Sequence, residues 1–213
     1  MHEGYLAPGE WIDSADPAVQ AYARLHARGA DARANAVALY YAVRDDVRYN
    51  PFLDFSASAA FRASEVLALK EGFCVGKAAL LAACARVIGI PARIGLADVK
   101  NHLTTPRLRE KMGTDLFVYH GYAELLLEGA WVKATPAFNQ ALCDRFRVKP
   151  LEWDGREDSV FHEFDQDHRR HMEYLRDHGS FADVPVEVIR AAFREVYPDF
   201  YALKEDASRE RFG

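Results

Sequence analysis

An alanine-rich segment in the middle of the chain constrains the fold more than any other feature. It follows Gly72-Phe73-Cys74 and contains the longest unbroken apolar run of the sequence, Ala78 to Ala85. Gly89 and Pro91 come next, and both residue types end helices. We therefore predict a helix from about Cys74 to Ile88, with a cysteine in its first turn. The apolar run falls far short of the roughly 18 residues that cross a bilayer, so we expect no membrane partner.

Composition excludes several classes of function. Half of the 213 residues are apolar, which is enough for a core, and the formal net charge is −5 without any run of basic residues. Nucleic-acid binding rests on neutralising phosphates, so we expect no nucleic-acid partner. Three cysteines without a CxxC motif argue against a disulfide framework and favour a reduced, cytoplasmic setting. Met1-His2-Glu3-Gly4 lacks the basic start and apolar stretch of a signal peptide.

Hydrophobic periodicity and helix-breaking residues predict a chain with both helices and strands. The predicted helices are 18–28, 32–47, 64–70, 74–88 and 185–197, and the predicted strands are 92–99, 116–127 and 130–134, with a charged loop at 100–115. Beyond Pro150 the sequence becomes rich in His, Asp, Glu and Arg. We therefore predict a core with N-terminal helices at 1–150, and a charged, mainly helical extension at 151–213 that packs on this core.

Cys74 is the strongest candidate for a catalytic nucleophile. In the first turn of a helix, unpaired backbone N–H groups and the helix dipole favour an anion, which lowers the pKa of a thiol. The same N–H groups can hold the oxyanion of a tetrahedral intermediate. The alternative is that Cys74 is a small buried core residue, as free cysteines often are. Cys84 lies among alanines in mid-helix and is assigned to the core, and Lys77 either favours the thiolate or is solvated.

A thiol nucleophile needs a base, and His120 lies in an apolar strand that is followed by Glu128-Gly129. If these two residues form the turn of a hairpin, Tyr122 faces Thr135 across the two strands. His120 and Thr135 then share a face, on a diagonal of roughly 7–8 Å that side chains can bridge. A polar residue at position 135 therefore lies where a third group would orient the imidazole. A slip of one residue in the register would turn Thr135 to the other face.

Three ordered blocks of sequence resemble the transglutaminase-like cysteine enzymes. They are Gly72-Phe73-Cys74 with its alanine-rich helix, Arg86 to Arg93 with its GIPAR ending, and His120 to Pro136 with Gly129-Ala130-Trp131. The resemblance covers about residues 64–140. It implies an α+β fold with a papain-like core, in which the cysteine-bearing helix packs on an antiparallel sheet. It also implies a Cys-His-Asp triad, and Cys74 and His120 match its first two members.

The third member of this triad departs from the family pattern. The family's Asp-Pro-Thr after the tryptophan strand is Thr135-Pro136-Ala137 in this chain. Thr135 can accept a hydrogen bond from the imidazole but carries no charge to stabilise imidazolium, and losing that charge can cost several powers of ten in rate. Asn139 would instead give a papain-like Cys-His-Asn set, and Asp98 or Asp54 are further candidates for orienting His120.

Two other groups of residues are weaker candidates for a site. The segment 158–178 holds four histidines among acidic residues, and the spacing of His168 and His171 puts both on one helix face. Such spacing can bind zinc, which makes His162, His168 and His171 candidate metal ligands, although a solvated charged segment is the simpler interpretation. Trp131 shares a face with Thr135 by parity and either walls the cleft or packs on the sheet. His102 could also line the cleft.

These residues together predict a thiol-dependent amide hydrolase or acyl transferase, either a cysteine peptidase or a transglutaminase-like enzyme, with a peptide or another amide as substrate. Cys74 attacks the carbonyl, and His120 takes the thiol proton and later protonates the leaving amine. Thr135 or Asn139 orients His120, and the reaction needs no cofactor. The alternatives are a non-catalytic binding module that keeps the fold without the triad Asp, and a metal-dependent protein that uses the histidine-rich segment.

Cysteine alkylation tests the placement of Cys74. Limiting iodoacetamide at near-neutral pH should label Cys74 before Cys84, because only Cys74 is predicted to lie at a helix terminus beside a cleft. Mass spectrometry of the digested protein measures the order of labelling. Equal or faster labelling of Cys84 would contradict the prediction.

Overall fold

Helices and strands alternate along the chain in the computed structural model, which describes residues 2–101, 106–160 and 172–198. The helices in these ranges are α1 (Pro17–His26), α2 (Ala32–Asp46), α3 (Ala63–Leu69), α4 (Cys74–Val87), α5 (Pro106–Met112), α6 (Gln140–Phe146) and α7 (Val186–Val196). The strands are β1 (Arg48–Tyr49), β2 (Glu71–Gly72), β3 (Ala92–Asn101), β4 (Leu116–Leu127), β5 (Ala130–Ala134) and β6 (Met172–Phe181). None of the helices in the described ranges has both the length and the apolar character needed to span a membrane.

Local sequence signals account for most of these elements. The predicted helices are confirmed as α1 to α4 and α7, and the predicted strands as β3, β4 and β5, with small differences at their ends. Asp31 caps α2, because its side chain accepts a hydrogen bond of 2.8 Å from the N–H of Ala34. The prediction of a loop throughout 100–115 is wrong, since α5 lies within it and begins at Pro106, a residue well suited to the first position of a helix.

A four-stranded antiparallel sheet in the order β5-β4-β3-β6 forms one layer of the fold. In the β4–β5 hairpin Ala123 pairs with Ala134, and Leu127 pairs with Ala130. This register confirms the predicted two-residue turn at Glu128-Gly129, where both residues have positive φ, as a tight hairpin turn requires. Helix α4 packs on β3 and β4, which confirms the α+β fold with the cysteine-bearing helix on an antiparallel sheet.

The region predicted as a mainly helical extension contains a strand of the central sheet. Residues Met172–Phe181 form β6, which pairs with β3 along its whole length, and only α7 is helical in the described part of 151–213. The prediction missed this strand because β6 lies at the edge of the sheet. Its side chains are mostly exposed or half-buried, so charged residues replace the apolar alternation that identifies an inner strand. The boundary near residue 150 stays a prediction.

Small residues allow α4 to lie close to its neighbours. Every residue from Cys74 to Arg86 is buried, with β3 and β4 on one side and α1, α2 and α3 around the rest of the helix. A Cβ atom at Gly121 of β4 would lie 2.7 Å from the Cα of Val75, and one at Gly76 would lie 2.4 Å from the carbonyl oxygen of Ala60. Both positions therefore require glycine, because any larger residue would push α4 away from the sheet or from the segment before α3.

Lys77 lies inside the protein, so the interpretation of a solvated lysine is wrong. Its Nζ donates hydrogen bonds to the carbonyl oxygens of Arg44, Val47 and Ala137, at 2.9, 2.5 and 2.8 Å. Burial lowers the pKa of this amine to about 7, although the carboxylate of Asp45 acts in the opposite direction. The side chain thus joins the first turn of α4 to the end of α2 and to the segment after β5.

Replacing Lys77 by methionine should destabilise the protein. The substitution keeps the length of the side chain but leaves three carbonyl groups without their donor, and we expect a loss of about 2–3 kcal/mol in the free energy of unfolding. Urea denaturation followed by circular dichroism measures it. Lys149→Met, at an exposed position, is the matched control and should change the stability little. Equal stability of the two variants would show that the three hydrogen bonds contribute nothing.

Candidate active site

A small cavity at the start of α4 brings Cys74 and His120 together. Its volume is about 50 Å³, and both side chains are buried, with 7% and 4% of their surface exposed. The other described lining residues come from β1 and the loop after it, from the residue before α4, from α5, from the start of β4, and from α7 and the residue after it. They are Tyr49, Pro51, Phe55, Phe73, Met112, Phe117, Val118, Phe193 and Tyr197. The predicted nucleophile and the predicted base thus face one enclosed space.

Burial, rather than the helix terminus, dominates the titration of Cys74. It raises the pKa of the thiol to about 11, while backbone N–H groups of Gly121 and Val75 directed at the sulfur act in the opposite direction. The prediction of a lowered thiol pKa is therefore wrong, because transfer out of water disfavours the thiolate more than these dipoles favour it. Cys84 is fully buried in the middle of α4, as predicted, and burial raises its thiol pKa further.

His120 is a neutral imidazole in this environment. Burial lowers its pKa to about 4, because transfer out of water disfavours the charged imidazolium. Its Nε2 atom is buried and has no hydrogen-bond partner among the described residues. A buried imidazole nitrogen without a hydrogen-bond partner costs free energy.

A bulge in β4 sets the direction of the strand just before His120. Ala97 of β3 pairs with His120, but Val99 pairs with Phe117, so β4 carries one extra residue in this interval. Tyr119 absorbs it with a φ of 54°, a conformation that few residues other than glycine adopt. The bulge therefore changes the direction of the side chains before and after it. Those of Phe117, Val118 and His120 all line the cavity.

Asp98 holds this bulge and does not contact His120. Its Oδ1 accepts a hydrogen bond of 3.0 Å from the N–H of Tyr119 and lies 2.7 Å from Nε2 of His178 on β6. The ring of His178 is stacked on that of Tyr119, with 4.0 Å between their centroids. His178, predicted only as one of four clustered histidines, thus belongs to a partly buried pair with Asp98 that supports the strand of the candidate base.

Thr135 makes its hydrogen bonds to another segment of the chain. Its hydroxyl donates to the carbonyl oxygen of Val160 at 2.6 Å, and its N–H donates to the carbonyl oxygen of Ser159 at 2.9 Å. Regular pairing of β5 with β4 ends one residue earlier, at Ala134. The single hydroxyl hydrogen of Thr135 is therefore used by Val160, and only its oxygen lone pairs remain to accept a bond from an imidazole N–H.

The other predicted site residues in the described part of the chain do not line the cavity. Asn139 accepts a hydrogen bond of 3.2 Å from the N–H of Tyr49, so it supports one wall. Trp131 lies under the guanidinium group of Arg93, 4.1 Å from its ring centre, and does not line the cavity. The carboxylate of Asp54 accepts hydrogen bonds from the N–H and hydroxyl of Ser56.

The candidate metal ligands His162, His168 and His171, and the cleft candidate His102, lie outside the described residues. Within the described part of the chain, no group of three or more His, Cys, Asp or Glu side chains is arranged to hold a metal ion.

Helix α7 and Tyr197, which follows it, close one side of the cavity. The sequence of the helix did not indicate that it lies there. The hydroxyl of Tyr197 donates to the carbonyl oxygen of Leu116 at 2.9 Å and accepts from the N–H of Val118 at 2.7 Å. Arg190 donates to the carbonyl oxygen of Phe55 at 2.9 Å. These contacts join α7 to both walls of the cavity, across more than 70 residues of sequence in each case. The amphipathic pattern of α7 predicts that one face of the helix is buried, but it does not predict which part of the protein covers that face.

Comparisons with known proteins agree with the fold of the chain. No curated protein sequence matches the chain. The solved structure of a protein named "Putative Cysteine Protease from Cytophaga hutchinsonii" is similar in fold, with a TM-score of 0.50 and 16% sequence identity over 84% of this chain. The chain spans 46% of the length of that protein. The sequence pattern of the transglutaminase-like superfamily matches residues 20–136, a stretch that includes Cys74, His120 and Thr135. Since this match covers more than half of the sequence, the chain belongs to the transglutaminase-like superfamily.

Proposed function

We propose that the protein is a cysteine-dependent enzyme that cleaves an amide, or transfers its acyl group, with Cys74 as nucleophile and His120 as base. The observation that carries the proposal is the shared cavity, in which a thiol and an imidazole are the only titrating groups other than two tyrosines among the described lining residues. Superfamily membership and the fold shared with a protein named as a cysteine protease support a cysteine-dependent enzyme of this kind.

The two groups begin the reaction in their neutral forms. With a thiol pKa of about 11 and an imidazole pKa of about 4, Cys74 keeps its proton at neutral pH and His120 is free to accept one. The sulfur then bonds to the substrate carbonyl carbon as its proton passes to the imidazole. His120 returns this proton to the leaving amine, and a thioester on Cys74 remains. Water or a second amine attacks the thioester and releases the acyl group.

Backbone N–H groups stabilise the oxyanion of the tetrahedral intermediate in this proposal. Those of Gly121 and Val75 face the sulfur of Cys74, so they also lie near any carbonyl carbon bonded to it. A developing oxyanion accepts hydrogen bonds from such fixed donors at little reorganisation cost. The imidazolium has no carboxylate partner at position 135, and this predicts a slower reaction than in an enzyme with the triad Asp.

A non-catalytic binding module on the same fold is the second candidate. The observation that favours it is the hydrogen bond from the hydroxyl of Thr135 to the carbonyl oxygen of Val160. This bond joins the side chain at the third triad position to a neighbouring segment of the chain. A module of this kind would bind a peptide or amide in the cavity without forming a thioester on Cys74.

The rate of alkylation of Cys74 should rise with pH throughout the neutral and weakly alkaline range. Because burial raises the thiol pKa to about 11, the reactive thiolate fraction grows about tenfold per pH unit below that value. Iodoacetamide labelling between pH 6 and about 9.5, read by mass spectrometry, measures the profile. His120→Gln should leave it unchanged, since the imidazole carries no charge over this range. A plateau below pH 7 would instead indicate a thiolate–imidazolium pair.

Turnover of amide substrates tests the proposed function. A panel of N-acetyl aminoacyl coumarin amides should yield free coumarin and a transient thioester on Cys74 in intact-protein mass spectra. Cys74→Ala should abolish both signals, and His120→Gln should lower the turnover rate by about 100-fold or more. Cys84→Ala, on the same helix, is the control and should keep activity. Unchanged turnover in Cys74→Ala would exclude Cys74 as the nucleophile, and peptide binding without any thioester would favour the binding module.

A further inference from the structure

We infer that the cavity beside Cys74 selects substrates with an aliphatic or aromatic side chain next to the carbonyl that the thiol attacks. This inference rests on the proposed function and names the substrate class of the same site. It follows from the apolar character of most of the cavity lining, from the pairing of the Tyr197 hydroxyl with backbone groups, and from the position of the nucleophile in the cavity lining.

Aromatic rings from three separate segments form one wall of the cavity. Phe55 follows β1, Phe73 precedes α4, and Phe193 belongs to α7. Their ring centroids are 4.9 Å apart for Phe55 and Phe73, 5.2 Å for Phe55 and Phe193, and 6.3 Å for Phe73 and Phe193. These distances are typical of packed aromatic side chains, so the wall is a rigid hydrocarbon surface directly beside the nucleophile.

The rest of the lining, apart from Tyr49, Cys74 and His120, offers little polarity to a bound group. Val118 and Met112 contribute only apolar side chains, and the hydroxyl of Tyr197 is already paired with two backbone groups of β4. Among the described residues that line the cavity, none is Asp, Glu, Lys or Arg. A charged or amide side chain that entered the cavity would therefore lose its water without gaining an ion pair, whereas an apolar side chain would gain from burial.

Leucine, asparagine and aspartate provide a matched test because their side chains have the same branched shape and the same number of heavy atoms. An apolar pocket distinguishes such a set by polarity and not by size. We expect about 10- to 100-fold preference for leucine over asparagine, and a still larger preference over aspartate. A cavity that recognised an amide through hydrogen bonds would give the reverse order.

N-acetyl dipeptide vinyl sulfones with Leu, Asn or Asp beside the reactive group measure this preference. The sulfur of Cys74 bonds to the alkene carbon β to the sulfonyl group, which is the one attached to the side-chain-bearing carbon. The thiol proton passes through His120 to the alkene carbon bonded to the sulfonyl group, and no group leaves. Intact-protein mass spectrometry gives the second-order rate constant of labelling for each reagent. Cys74→Ala shows that the label is on this cysteine, and iodoacetamide corrects for the intrinsic reactivity of the thiol.

Two valine-to-threonine variants compare the effect of a hydroxyl in the cavity lining with the effect of a hydroxyl outside the cavity. Val118→Thr keeps the shape of the lining and adds a hydroxyl, so it should reduce the Leu/Asn ratio several-fold. Val188→Thr makes the same exchange at a position on α7 that is 52% exposed, and it should leave the ratio unchanged. Thermal unfolding of both variants checks that they are folded at the temperature of the assay.

The outcomes distinguish the two proposals. Labelling in the order Leu, Asn, Asp, with a smaller ratio in Val118→Thr only, supports the inference. Equal labelling by the three reagents, faster labelling by Asn or Asp, or a ratio that Val118→Thr does not alter would overturn the assignment of the cavity while leaving the nucleophile in place. Failure of all three reagents to label a Cys74 that iodoacetamide does label would contradict the proposed function, and the inference with it.

Discussion

The close packing of α4 against the sheet is the constraint on which the rest of the structure depends. Gly121 lets β4 approach the backbone of Val75, and Gly76 does the same for the segment that contains Ala60. Alanines fill most of the remaining surface of the helix, so the sheet and helices α1, α2 and α3 can pack closely on it. A single methyl group at either glycine would separate the first turn of α4 from its neighbours, and the cavity lies at that turn.

The same packing determines the electrostatics of the candidate site. Because the start of α4 is buried, the thiol of Cys74 and the imidazole of His120 are both held in their neutral forms, and the amine of Lys77 has a pKa near neutrality instead of its usual high value. Lys77 is nevertheless well bonded, since three backbone carbonyls surround it. Burial thus gives Lys77 a structural role and disfavours the thiolate form of Cys74.

The C-terminal region completes the site from a distance. β6 supplies His178, which pairs with Asp98 at the bulge before His120, and α7 supplies Phe193 and Tyr197, which close the cavity. Neither element lies within residues 20–136, the stretch that matches the superfamily pattern. Of the described residues that line the cavity, Phe193 and Tyr197 lie outside this stretch, and the other nine, including Cys74 and His120, lie within it.

Sequence alone determined the features that depend on neighbours along the chain: the ends of α4 at glycine and proline, the cap of α2 at Asp31, and the register of the β4–β5 hairpin, which a two-residue turn imposes on its strands. It also placed Cys74 and His120 in a recognisable order. Only the tertiary structure decided that the hydroxyl of Thr135 donates to Val160, that Asp98 pairs with His178, and that the thiol of Cys74 has a raised pKa. These properties depend on burial and on partners 25 to 80 residues away, and no local pattern of residues specifies such contacts.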